Sequence, residues 1–250
     1  MRRSLSICDH LKVGPLAVRK LKAIEVHHEW GAAPSTRGIR AAELVTSNLT
    51  ECEYTATIAS PKNSYQIKLL LDEALQCSLS SQELVVAAEP YLVPEHLVRS
   101  KEPADLRRAD LLVQLNAELP SLVVEIEKAN KFKTARDLLR LLLFMRELER
   151  SPGKRSSEAL GALICPHNYV HGGKKPWDVF QEAVASLDLL RRGAELPEQR
   201  LSELVIIGYT QQVWNGADWA MWDNAAYAQM KEDAKGTYRT LTRAASIAKS

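Results

Sequence analysis

No stretch of this 250-residue chain approaches the roughly 18 uninterrupted apolar residues that a membrane-crossing helix needs. The opening residues, Met1 to His10, start basic but lack the apolar core and small-residue cleavage site of a secretory signal. Cysteine is scarce. Cys8, Cys52, Cys77 and Cys165 are widely scattered with no CxxC pair, which argues against a zinc ribbon or a disulfide framework and for reduced thiols. Internal repeats and low-complexity tracts are missing as well, which speaks against a solenoid. The expectation is a soluble, cytoplasmic protein that engages no membrane, long enough to bury a sizeable apolar interior.

Net charge is low too, formally +2, but it is unevenly spread. Lys128 to Arg155 holds nine basic residues against Asp137, Glu147 and Glu149, so that segment carries +6 and the remainder about −4. Immediately before it lies the apolar segment Ser121 to Glu127, SLVVEIE. Side chains alternate along a strand, so Glu125 and Glu127 share one face while Val124 and Ile126 take the other. Two like charges side by side repel, a cost that a structural role does not require and that a divalent cation removes. Asp110 opens an earlier apolar run to Leu115, and the link Asn116 to Pro120 has the length of a hairpin connection. Antiparallel pairing of the two runs would bring Asp110 to the face of Glu125 and Glu127. An all-oxygen set of this kind suits Mg²⁺, which keeps several waters and takes one or two carboxylates together with substrate phosphate oxygens. An edge hairpin carrying solvated acids is the structural alternative.

Elsewhere the patterns are those of alternating helices and strands. Pro15 to Ile24 and Thr36 to Thr46 read as helices, and Tyr54 to Ala59 as a weakly alternating strand. Ile67, Leu70, Leu71, Ala74 and Leu75 predict an amphipathic helix over Ser64 to Gln76. Thr134 and Asp137 have capping-box spacing for a helix that runs to about Glu149, with Leu138, Leu141, Leu142, Met145 and Leu148 facing a sheet and Arg136, Arg140 and Arg150 turned outward or toward a partner. Leu160 to Cys165 and Glu203 to Gly208 read as buried strands, with a helix from Trp177 to Arg192 between them. A right-handed crossover then sets the Leu160 strand parallel to that of Glu125. The predicted class is α/β, a mixed central β-sheet flanked by helices. One globular unit is expected, with an N-terminal helical or irregular region over 1–60, a core over 61–210, and an aromatic-rich helical extension over 211–250 whose tryptophans anchor the core or a dimer interface.

Over roughly Ser64 to Cys165 the order is an upstream helix, an acid opening a strand, a second strand ending Glu-x-Glu, a basic helix and a third strand. Carried by Asp110, Glu125-Ile126-Glu127, Asn130 and Arg136-Asp137-Leu138, this resembles the PD-(D/E)xK nuclease superfamily in its Glu-x-Glu variant, as in type II restriction endonucleases of the BamHI and BglII kind. The chain departs from the common pattern in having Ala109 rather than proline before Asp110, and Glu127 where most of the wider family keeps a lysine.

The resemblance implies a restriction-endonuclease-like core and a Mg²⁺-dependent, site-specific deoxyribonuclease acting on double-stranded DNA as a homodimer. Asp110, Glu125 and the backbone carbonyl of Ile126 would hold Mg²⁺, and Glu127 would orient or deprotonate the attacking water or bind a second ion. Such proteins also recruit an acid from the preceding helix, for which Glu73 is the nearest by position, with Asp72 adjacent. Lys131, Lys133 and Arg136 are the expected phosphate contacts. Cys165 to His171 gathers one cysteine and two histidines within seven residues, but a fourth zinc ligand has no source. A loop presenting His167 and Asn168 to nucleic acid is preferred. His27 and His28 read as a partly exposed strand or loop end. A repair or junction nuclease, or a non-catalytic DNA-binding or regulatory protein with the same core, are the competing readings.

Overall fold

A computed structural model describes residues 17–59, 66–82, 84–91, 108–114, 121–128, 133–150, 159–170, 175–193, 196 and 198–233. Its strands are β1 (Ala17–Trp30), β2 (Glu53–Ala59), β3 (Gln66–Leu69), β4 (Val85–Ala88), β5 (Leu111–Gln114), β6 (Ser121–Ile126), β7 (Ala159–Pro166), β8 (Leu204–Trp214) and β9 (Trp219–Met221). The helices are α1 (Thr36–Glu51), α2 (Leu71–Ser81), α3 (Thr134–Arg150), α4 (Val179–Gly193) and α5 (Glu198–Ser202), with a further helical segment over 224–233. All the strands join one mixed, curled sheet in the order β3-β2-β1-β8-β7-β6-β5-β4, and β9 pairs with the far end of β8. The class is therefore mixed α/β, as the alternation of apolar patterns predicts.

The centre of the sheet is parallel. β7 pairs with β6 and with β8 in parallel, and α3 and α4 provide the crossovers. Strands covered on both faces carry apolar residues without a break, and every residue of β7 is buried, as are Leu204 to Gln211 of β8. α3 lays Leu138, Leu141, Phe144, Met145 and Leu148 onto this sheet, four of them on the predicted stripe. Close approach of helix and strand is bought with glycine. A Cβ built on Gly208 would lie 2.3 Å from the Phe180 ring of α4, an atom that cannot swing aside as a chain end can. Gly208→Ala is expected to cost about 1–3 kcal/mol, read as a lower urea midpoint with an unchanged slope.

Three local readings are overturned. β1 is a long strand where Pro15 to Ile24 predicts a helix. It is sandwiched between β2 and β8, so ladder bonds on both sides prevail over local propensity. Gln66–Leu69 likewise pairs with β2, and the helix begins only at Leu71 and runs on to Ser81. Gln211 to Trp214 completes β8 and Trp219–Met221 forms β9, so the start of the aromatic tail is sheet rather than helix. Its Trp222 is buried against Tyr227. Cys52 and Cys165 are buried free thiols, whereas Cys77 is disulfide-bonded, against the expectation of reduced thiols throughout. Among the described residues no helix is long and apolar enough to cross a membrane.

Candidate functional site

The site is built on the β5/β6 hairpin. Leu111 pairs with Val124 in antiparallel register, so the preceding Asp110 stands opposite Glu125, and directly opposed residues share a face. Asp110 Oδ2 accepts the amide of Ile126 at 2.6 Å. In a strand the N–H and C=O of one residue are directed to the same neighbour, so the Ile126 carbonyl is on the Asp110 side. The next amide, of Glu127, turns to β7 and donates to the Ile164 carbonyl at 3.0 Å. Asp110 and Glu125 are thus brought to one face, as the spacing predicts, beside the Ile126 carbonyl that the resemblance names.

Burial is severe here. Glu125 keeps 3% of its surface exposed. Its carboxyl is pushed up to about 9, first by burial and then by Asp110, against the pull of Arg140. Burial also raises Asp110, although the Ile126 amide and the Lys128 and Arg140 charges oppose the shift. Oε1 of Glu125 is a buried oxygen that receives no hydrogen bond. Arg140 Nη2 stands 3.2 Å from it, within ion-pair reach, but donates to the Arg108 carbonyl at 2.7 Å.

Glu127 is also buried, yet it serves a different neighbourhood. Its charge acts on Asp137 of α3, on Cys165 and on Tyr169. Asp137 is raised by burial and then by Glu127, with Arg140 and Arg136 opposing. Among the described residues no three His, Cys, Asp or Glu side chains form a ready cage for a metal ion. Asp110 bears on Glu125, and Asp137 of α3 bears on Glu125 while being raised itself by Glu127. Mg²⁺ takes one or two carboxylates and fills its remaining positions with water, and the oxygens gathered on this hairpin are those of Asp110, Glu125 and the Ile126 carbonyl.

At the start of α2 the acid that bears on Asp110 is Asp72 rather than the expected Glu73, which is hydrogen-bonded to Asp72. Burial drives the Asp72 carboxyl up, but the Glu73 bond and the Lys128 ammonium outweigh it and hold it below its usual value. Lys128 Nζ lies 2.5 Å from Asp72 Oδ1 and donates to the Leu69 carbonyl at 3.2 Å. Lys128 lies beyond the end of β6, and its charge bears on Asp110 as well as on Asp72 of α2.

Of the expected phosphate contacts, Lys133 is exposed and Arg136 keeps 43% of its side-chain surface open at the start of α3. Lys131 and Asn130 lie outside the described residues, as does His171. Asn168 is corrected from a nucleic-acid contact to a structural bracket. Its Oδ1 accepts the Gln211 amide at 2.7 Å while Nδ2 donates to the carbonyls of Gln211 and Trp222, leaving no free amide to read a base. His167 is turned to Asp178, with 3.3 Å between Nδ1 and a carboxylate oxygen, and packs on His27 and Phe180. Arg140, expected to turn outward or toward a partner, is instead enclosed beside Glu125. A basic side chain on an amphipathic helix reads as solvent-facing, and only the packing of α3 on β6 turns it inward.

No protein-family model matches the chain, and no curated protein is significantly similar to it.

Proposed function

We propose that this protein is a Mg²⁺-dependent endodeoxyribonuclease with a restriction-endonuclease-like core, hydrolysing phosphodiester bonds at a specific double-stranded DNA site as a homodimer. One observation carries the reading: Asp110 and Glu125 share a face of the β5/β6 hairpin around a carboxylate oxygen that has no hydrogen-bond donor. The order α2, β4, β5, β6, α3, β7 supports it, being the succession of helix, antiparallel strands, crossover helix and parallel strand that the sequence resemblance describes.

Asp110, Glu125 and the Ile126 carbonyl would hold the ion. A cation bound there supplies Lewis acidity and neutralises charge on the scissile phosphate. Glu127, buried on the Asp137 side of the site, would accept a proton from the attacking water. Lys133 and Arg136 extend from the start of α3 to meet backbone phosphates. Cutting both strands of a symmetric site calls for two copies of the hairpin related by a two-fold axis.

The test is incubation with plasmid DNA and Mg²⁺, repeated with EDTA, alongside sedimentation to establish the oligomeric state. Discrete fragments that vanish with the chelator support the proposal. Smeared products point to a nonspecific or repair nuclease, and DNA binding without cutting points to a non-catalytic protein. Binding itself carries a prediction. Lys133→Ala and Arg136→Ala are each expected to flatten the dependence of log K on log salt by about one unit, measured by fluorescence anisotropy between low and moderate salt. An unchanged slope in both removes α3 from the interface.

A further inference from the structure

Of the four arginines on α3, Arg136, Arg146 and Arg150 keep 43, 52 and 66% of their side-chain surface exposed, whereas Arg140 keeps 11%. A guanidinium so enclosed needs oxygen partners in place of water. Arg140 draws them from three segments: the Arg108 carbonyl ahead of β5 at 2.7 Å, Asp137 Oδ1 on its own helix at 3.3 Å, and Glu125 Oε1 on β6 at 3.2 Å. The match is in charge but not in hydrogen bonding. Arg140 Nε is buried without an acceptor and Glu125 Oε1 is buried without a donor. Phe144 lies under the guanidinium, 5.6 Å from ring centre to Cζ. Arg140 therefore stands within ion-pair reach of Glu125 without satisfying it, and a cation that coordinates that oxygen takes the place the guanidinium holds.

We infer that Arg140 is a resident cation seated beside Glu125 in the metal-free protein, displaced from it when a divalent ion binds. The inference rests on the reading of Asp110 and Glu125 as a cation site. Arg140 is a positioning residue in this scheme: it holds Glu125 and α3 in register while the site is empty, and it sets how tightly the ion is taken. Displacement requires little movement, because the Asp137 carboxylate and the Arg108 carbonyl keep the guanidinium after Glu125 is released. The ion and the arginine compete for one carboxylate, so removing the arginine strengthens cation binding. A residue whose sole task is to orient Glu125 as a ligand gives the opposite sign.

The experiment is calorimetric titration of the full chain with MgCl₂ or CaCl₂ alone, without DNA. Arg140→Gln keeps a donor for the Arg108 carbonyl but removes the charge, and is expected to bind either ion at least about tenfold more tightly than the wild type, since a full positive charge within ion-pair reach is gone. Arg140→Lys keeps the charge and is expected to stay within about threefold of the wild type. Tighter binding by Arg140→Gln, or binding by that variant where the wild type shows none, supports the inference. Weaker or equal binding by Arg140→Gln, with the wild type still binding, overturns the inference and leaves the proposed function standing. Absence of binding in both overturns the cation site itself.

A second readout needs no neutral variant and decides the matter if Arg140→Gln does not fold. In an arginine-labelled sample the Arg140 Nε–H resonance, assigned by its loss in Arg140→Lys, is expected to shift as CaCl₂ is added. A resonance that stays fixed at saturation overturns the inference.

Discussion

Glu125→Gln is expected to abolish Mg²⁺-dependent cleavage of plasmid DNA, by a hundredfold to a thousandfold or about the loss that follows when one preorganised electrostatic contact is removed from a reaction centre, while DNA binding persists. The amide matches the carboxyl in size but brings no charge to a cation. It also brings no charge to an interior that tolerates charge poorly: Glu125 is buried beside Asp110, and its carboxyl is already pushed up to about 9. In EDTA the variant is therefore expected to unfold at the wild-type temperature or above it, so lost activity cannot be put down to lost structure. Asp110→Asn is expected to lose cleavage in the same way, and its side-chain carbonyl still accepts the Ile126 amide. Gel assays of cleavage and anisotropy measurements of binding, run on both variants, check the pair. Retained cleavage in both sinks the assignment.

The second large effect is on stability. In EDTA the folded state is expected to weaken as pH rises from about 5 to about 9. The unfolded chain gives up the Glu125 proton near the ordinary value of 4.5, whereas the folded chain keeps it to about 9. Across that window the native state holds the extra proton, so stability declines with rising pH, by about 1.4 kcal/mol per pH unit for one such group. Asp110 and Asp137 are displaced in the same direction. Asp72, held below its usual value, works the other way, its contribution being lost only as pH falls through the acid range. Urea midpoints at several pH values, for the wild type and Glu125→Gln, measure the difference. The variant is expected to lose about one proton's worth of slope, and identical profiles contradict the buried acid.

The hairpin and its acids were legible because the short apolar run from Leu122 carries acids at the alternate positions 125 and 127, and the register follows from a short link. The parallel centre was legible for a related reason: β7 is uniformly apolar, and α3 carries a clean stripe. β1 was not. Nothing local marks Pro15 to Ile24 as a strand, and only its ladders to β2 on one side and β8 on the other make it one. β3 was hidden by its brevity, since a four-residue strand running into a helix shares its apolar residues with the helical pattern. Within the site, the roles of Asp72, Asn168 and Arg140 depend on which distant element each side chain meets, and no local period encodes that.

α2 lies against β2 and also against β4, elements near opposite limits of the sheet. Lys128 completes this cross-tie by clamping the end of β6 to Asp72 and to the Leu69 carbonyl. The strands nearest the N-terminus carry none of the proposed ligands, yet this keystone ties them to the hairpin that does. A loosened outer limb would travel along α2 as slack and reach Asp110 and Glu125 without any change to the hairpin itself.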